Sequence, residues 1–242
     1  MQSRYYDPVT CKFINADEPA ILFETAFDPL SVHLWDYCGD NPVMYVDYTG
    51  EKKTLFCIFT IKEFYNISFK IRDELIKLFP NYAYILPPYS SSSTFKSKWN
   101  SLKNQDIVIV VAHGSYNKLS YISPSNIQKL KKISCKLLIL LGCNNGHYDY
   151  TNLNIAYEFA KKVTGVVVAS DGTVLIDMKK NKLKITSVTD KDYLDLCRVR
   201  TRPNKGWLIY QYINKNSYVW TTPYKNLDFK QFIAYLKMIK KF

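Results

Sequence analysis

No apolar run in this chain reaches ten residues, well short of the ~20 consecutive apolar residues that a membrane-spanning helix needs. The start carries no basic-then-apolar stretch of the kind that makes a signal peptide, so export is expected to rely on machinery outside this chain. The six cysteines (Cys11, Cys38, Cys57, Cys135, Cys143, Cys197) form no C-x-x-C pair and keep no metal-like spacing with the three histidines. Free thiols in a reducing compartment are the simpler reading. Cys57 and Cys135 lie in or beside apolar runs, where a thiol behaves as a small buried hydrophobe. There is no G-x-S-x-G, so a serine α/β-hydrolase would lack its nucleophile elbow. The clusters of acidic or histidine ligands usual in metal-dependent nucleases are missing too. Internal repeats are absent, and the only low-complexity tract is Ser90 to Ser93.

What is present is enough for one good core and a small second unit: 242 residues, 47% of them hydrophobic. The formal charge of +12 is unevenly spread. Residues 1 to 50 hold two basic side chains, Arg4 and Lys12, against eight acidic ones, a net of −6; residues 51 to 242 hold 31 against 13, a net of +18. Gly50 is therefore a charge boundary, and the expected domains are 1–50 and 51–242. The lysines of the second are scattered, and the cluster Lys237, Lys240, Lys241 is short. This suits a solvated basic surface or an acidic partner and marks no clear nucleic-acid or membrane site.

From Lys52 onward, apolar strands alternate with amphipathic helices. Strands are expected at Thr54–Ile61, Tyr82–Leu86, Asp106–Ala112, Lys136–Leu141 and Val166–Ala169. Helices are expected where Phe64, Ile67, Ile71, Leu75 and Leu78 recur, where Phe95, Trp99 and Leu102 recur, from Pro124 to Leu130, and from about Asn152 to Val163 with Gly165 as the stop. A hairpin (Thr173–Ile176, Lys182–Ser187), an aromatic strand pair (Trp207–Ile213, Tyr218–Thr222) and a helix from about Asp228 complete the chain. The alternation argues for an α/β fold with a mostly parallel sheet.

Two of these strands stop at reactive side chains, one at His113-Gly114 and the other at Gly142-Cys143. As parallel neighbours they would bring imidazole and thiol to the edge beyond their carboxyl ends, where open α/β sheets place their ligands. A cysteine attacks a carbonyl as thiolate, and an ordinary thiol pKa of ~8.5 requires a neighbouring base. Gly114 and Gly142 would let the backbone turn sharply and aim amides at a developing oxyanion. His147, four residues after Cys143, competes for the base role and would need the loop to fold back. His33 lies in the opening segment, apart from this chemistry.

Residues 1 to 50 read Arg4-Tyr5-Tyr6-Asp7-Pro8-Val9-Thr10, Phe13-Ile14, Asp17-Glu18-Pro19, Trp35-Asp36-Tyr37-Cys38-Gly39-Asp40-Asn41-Pro42-Val43 and Val46-Asp47-Tyr48-Thr49-Gly50. This order resembles the end of the core segment of Rhs (YD-repeat) proteins, the β-shells that carry variable toxin domains at their C-termini. Cys11 and Lys12 stand where that family usually has Gly and Arg, and Tyr48 replaces the proline of its closing Asp-Pro, so the likeness does not carry self-release at Asp47. It implies that residues after Gly50 are the effector of a bacterial polymorphic toxin, delivered by secretion machinery outside this chain into a target cell's cytoplasm. An Rhs shell and a cognate immunity protein are the implied partners.

The runs Val108-Ile109-Val110-Val111-Ala112-His113-Gly114 and Leu137-Leu138-Ile139-Leu140-Leu141-Gly142-Cys143-Asn144-Asn145-Gly146, followed by Ile155 to Ala160 and Gly165 to Ser170, resemble the caspase-like cysteine peptidases, which include metacaspases and CHAT domains. The resemblance implies a caspase-like three-layer sandwich around a mostly parallel sheet, a protein or peptide substrate, a Cys143–His113 dyad, and no metal or organic cofactor. It also implies a side-chain pocket near the loops after the catalytic strands, for which Asp171, Ser170 and Asn144 are the candidates; an aspartate before glycine is also simply a turn. The rival readings are a basic nuclease and a non-catalytic binding module.

Overall fold

The computed structural model describes residues 6–7, 9, 12–13, 55–78, 82–103, 105–179, 182–188, 204–222 and 226–227. The opening motifs from Asp17 to Gly50, His33, the cysteines Cys11, Cys38 and Cys197, and the helix expected from Asp228 lie outside these residues. The chain divides into two compact units, Met1–Thr54 with Phe79–Tyr82, and Leu55–Leu78 with Ala83–Phe242. In the first, β1 (Tyr6–Asp7) and β2 (Lys12–Phe13) pair antiparallel, Tyr6 opposite Phe13 and Asp7 opposite Lys12. Asp7 Oδ1 accepts from the Val9 amide at 2.9 Å, the local bond by which aspartate initiates a turn.

The second unit runs β3 (Leu55–Thr60), α1 (Tyr65–Leu78), β4 (Tyr82–Ile85), α2 (Ser92–Asn100), β5 (Gln105–Val111), β6 (Gly114–Ser115), β7 (Lys118–Leu119), α3 (Pro124–Gln128) and β8 (Cys135–Leu141). It continues through α4 (Ile155–Ala160), β9 (Val166–Ser170), the hairpin β10 (Thr173–Lys179) with β11 (Lys182–Val188), β12 (Trp207–Ile213) and β13 (Asn216–Thr221). Seven strands form one sheet in the order β13-β12-β9-β8-β5-β3-β4. β3, β5, β8 and β9 are parallel neighbours, and β12 joins β9 antiparallel and carries β13 antiparallel beside it. The fold is therefore mixed α/β with a mostly parallel sheet.

The central strands are apolar on both faces because both faces are covered. Val108, Val110, Leu138, Leu140, Val167 and Ala169 pack with Phe95, Trp99 and Phe159 from α2 and α4. Ile107, Ile109, Leu137, Ile139, Val166 and Val168, on the opposite face, are equally buried, the condition under which parallel strands read as continuous apolar runs. α1 buries Ser68, Ile71 and Leu75, one stripe at helical spacing.

Each short helix opens on a side chain that takes a free amide. Ser91 accepts from Thr94 N and Ser123 from Asn126 N, both with the reciprocal bond of a capping box, and Asn154 accepts from Tyr157 N. Trp99 Nε1 donates to the Lys131 carbonyl at 2.9 Å, so this buried indole keeps its polar edge satisfied.

α4 is shorter than the periodicity predicts, because Asn154 fixes its start and the chain leaves the helix at Lys161. Gly165 is accordingly not the helix stop. Its amide donates to the Cys135 carbonyl at 2.8 Å, and a Cβ there would run into the backbone carbonyl of Lys136. Glycine is needed at this point for β9 to start alongside β8. The β10–β11 hairpin is longer than expected and forms a separate two-stranded sheet.

Gly165→Ala is thus expected to lower stability by roughly 1–3 kcal/mol, the usual cost of overpacking, measured as a reduced urea midpoint with an unchanged slope.

Candidate active site

Three adjacent parallel strands end at one edge of the sheet. In register, Thr60 of β3 pairs with Val111 of β5, and Val111 pairs with Leu141 of β8. His113 and Cys143 therefore each lie two residues beyond a matched pair, on neighbouring strands with no strand between them. The backbones stay close past the sheet: a Cβ on Gly114 would lie 2.8 Å from the Cys143 carbonyl oxygen.

His113 is exposed, and its Nε2 lies 2.7 Å from Glu63 Oε2. Phe64 packs against the imidazole with ring centroids 4.7 Å apart. Both residues belong to the 3-10 turn Lys62–Phe64, which leaves the end of β3 through a bond from Phe64 N to Ile61 O of 3.1 Å. Glu63 did not figure among the sequence candidates. The rule that ligands gather beyond the carboxyl ends of strands would have flagged it, since it stands three residues past Thr60, but the apolar stripe beginning at Phe64 drew that segment into a helix.

Cys143 is half-buried, whereas Cys57 and Cys135 are buried. Burial pushes the Cys135 thiol up to about 12, so it stays protonated and inert at neutral pH. Cys143 is the described cysteine that solvent reaches.

The loop after Cys143 is held by its backbone. Asn144 takes a left-handed conformation (φ 56°), which asparagine tolerates better than most residues, and donates its amide to Gly172 O at 2.9 Å. The Gly146 amide donates to Ser170 O at 2.9 Å, and the Gly146 carbonyl accepts from Tyr210 Oη at 2.9 Å. Asn154 Nδ2 donates to both Tyr210 Oη, at 2.8 Å, and the His147 carbonyl, at 3.1 Å. Tyr210 reaches this loop from 64 positions away, a pairing that no local pattern signals.

Asn145 is fully buried and ties the two loops together. Its Nδ2 donates to Ser115 O at 2.7 Å and to Lys118 O at 3.0 Å, while its buried Oδ1 has no hydrogen-bond partner. The same side chain occupies the space where a Cβ on Gly114 or Gly142 would stand. These glycines were expected to serve sharp turns and an oxyanion. The structure adds a requirement of another kind, room for Asn145, and places Gly114 in the β6–β7 hairpin opposite Leu119.

Ser170 and Asp171 are drawn into scaffolding and do not line an open pocket. Ser170 Oγ donates to Gly172 O at 2.8 Å, lies 2.6 Å from Ser187 Oγ, and accepts from Gly172 N at 3.1 Å. The Asp171 oxygens each accept a backbone amide at 2.7 Å, from Tyr148 and from Lys205. Both side chains are buried, with these polar atoms bonded inside the protein rather than presented to solvent. His147 does fold back, but into a buried setting: it meets the rings of Tyr116 and Tyr150, and its Nδ1 accepts from Asp149 N at 3.3 Å as cap of the Tyr148–Tyr150 turn. Among the described residues no group of histidine, cysteine and acidic side chains is arranged to hold a metal ion.

Because Asn145 and Gly142 compete for the same space, their substitutions should not add. Gly142→Ala alone and Asn145→Ala alone are each expected to destabilise by roughly 1–3 kcal/mol, through a clash and through the cavity and two lost hydrogen bonds left by the buried amide. The double variant should cost less than the sum by about 0.5 kcal/mol or more in an equilibrium unfolding cycle. Compared with protein-family models, curated proteins and solved structures, the chain matches none.

Proposed function

We propose that the second unit is a caspase-like cysteine endopeptidase, the effector of an Rhs-type polymorphic toxin, with Cys143 as nucleophile and His113 as base. The observation that carries the catalytic part is the parallel β5–β8 register, which sets thiol and imidazole two residues past the same rung at the edge where such sheets hold ligands. The toxin part rests on the Rhs-like motifs of the first fifty residues and on the change of charge at Gly50.

In the reaction, His113 takes the Cys143 proton as Sγ bonds to the scissile carbonyl carbon. The carbonyl oxygen gains charge beside the backbone at Gly114 and Gly142. Collapse of the tetrahedral intermediate breaks the C–N bond, and His113 gives its proton to the leaving amine. Water, deprotonated by the same imidazole, then attacks the thioester; the acyl–sulfur bond breaks and the thiol is restored. The basic surface of this unit suits an acidic stretch of protein substrate or an acidic immunity protein.

With the purified chain, an iodoacetamide-type probe is expected to label Cys143 and leave Cys57 and Cys135 unmodified in the folded state, read by peptide mass mapping. Cys143→Ala and His113→Ala should each abolish toxicity in a bacterial host and cleavage of a peptide library. Toxicity that survives both substitutions would sink the peptidase reading and favour a nuclease or a binding module.

A further inference from the structure

Glu63 and His113 are bonded where stability gains little from it. Their side chains are 66% and 67% exposed, and ion pairs so open to water contribute little to folding. The imidazole is nonetheless contacted on two sides, by the carboxylate at Nε2 and by the Phe64 ring, tilted 59° to it with centroids 4.7 Å apart. Both grips come from one short turn at the end of β3, the strand directly beside β5. Three consecutive strands thus deliver one group each to the same edge, in the spatial order Glu63, His113, Cys143.

A carboxylate can only accept, so the hydrogen in the Glu63–His113 bond resides on Nε2. In neutral imidazole that leaves the lone pair on Nδ1. From this arrangement, and resting on the peptidase reading above, we infer that Glu63 is a positioning residue: it selects the Nε2-protonated tautomer of His113 and fixes the ring, so that Nδ1 receives the Cys143 proton. Glu63 touches neither substrate nor sulfur in this role and acts through the histidine. Once Nδ1 is protonated, the carboxylate faces a full imidazolium, so the contact strengthens as charge develops. The proton moves from Sγ to Nδ1 and onward to the leaving amine, and Glu63 holds its hydrogen bond throughout.

The test uses the full chain and has one arm that needs no activity. Long-range 1H–15N correlation spectra, with the His113 signals assigned by their loss in His113→Ala, should show the Nε2-protonated tautomer in the wild type and a mixture of tautomers in Glu63→Ala. In peptide cleavage, Glu63→Ala should lower kcat on the order of 10- to 100-fold, as loss of a group that orients a histidine does elsewhere, with KM changed less than about threefold. Glu63→Gln, whose amide oxygen still accepts from Nε2, should recover most of that loss. An unchanged tautomer and kcat in Glu63→Ala, or a glutamine variant as impaired as the alanine, would overturn the inference while leaving the dyad intact. Activity that persists in Cys143→Ala would instead remove the peptidase reading, and the tautomer spectra would still decide whether Glu63 orders the ring.

Discussion

Register between parallel strands is the constraint on which this structure depends. A strand that buries one face is held in register by its own pattern, because a slip of one residue turns every apolar side chain to solvent. β5 and β8 bury both faces from Ile107 and Leu137 onward, so a slipped pairing would still bury apolar groups and the pattern alone is indifferent to it. The register has to be set at the strand ends. At the amino end, the Gln105 amide bonds Ser134 O at 3.0 Å and the Gly165 amide bonds Cys135 O at 2.8 Å. At the carboxyl end, Asn145 reaches across to Ser115 and Lys118, and the Ser120 amide returns to His113 O at 2.8 Å. A slip of β5 against β8 would break the Gln105 and Asn145 bonds and carry Asn145 off the space left by Gly114 and Gly142, while a slip of β9 against β8 would break the Gly165 bond and set a Cβ-bearing residue against Lys136.

The same bonds divide the polar groups at the sheet edge into two kinds. Asn145, Asn154, Ser170, Asp171 and His147 are buried, with side chains committed to backbone groups of the loops. Glu63 and His113 are exposed, and Cys143 is half-buried. Burying an amide or carboxylate is costly unless it is hydrogen-bonded, so the buried set is where loop position is fixed and is poorly suited to engage a substrate. The unpartnered Oδ1 of Asn145 is the exception within that set. It lies against two glycines at the point where both loops converge, and the two bonds made by its amide nitrogen fix which way the side chain points.

Periodicity made most of the second unit legible. Short β-branched runs gave the strands, and turn and cap residues gave most of the helices, because burial on both faces and free helix amides leave a local trace. The matched strand ends also followed from the sequence, since His113-Gly114 and Gly142-Cys143 each terminate an apolar run. The parts that were not legible depend on distance. The Tyr210 bond to Gly146 joins a strand residue to a loop 64 positions away, and Asp171 reads equally well as a pocket carboxylate until the Tyr148 and Lys205 amides are seen at its oxygens. Gly165 was misassigned because a glycine after a helix usually ends it, while its actual constraint is the Lys136 backbone on another strand. Glu63 was missed because Phe64 beside it satisfied a helical stripe.

How Cys143 would be activated under the peptidase reading follows from what surrounds it. A thiolate at a helix N-terminus is favoured by free amides and the helix dipole, but α4 begins only at Ile155 and its first amides are engaged by Tyr116 O, Asn145 O and Asn154 Oδ1. The loop that follows Cys143 spends its amides on Gly172 O, Ser170 O and Asn144 O. These amides are thus engaged elsewhere, and under the peptidase reading proton removal is assigned to an imidazole. An exposed imidazole is free to rotate and to exchange tautomers with water, so only a fraction of its conformations would present a lone pair to the thiol. Holding that ring from the adjacent strand would restrict those conformations at little cost in folding, so under the peptidase reading the turn after β3 would matter as much to the chemistry as the two strands that bear His113 and Cys143.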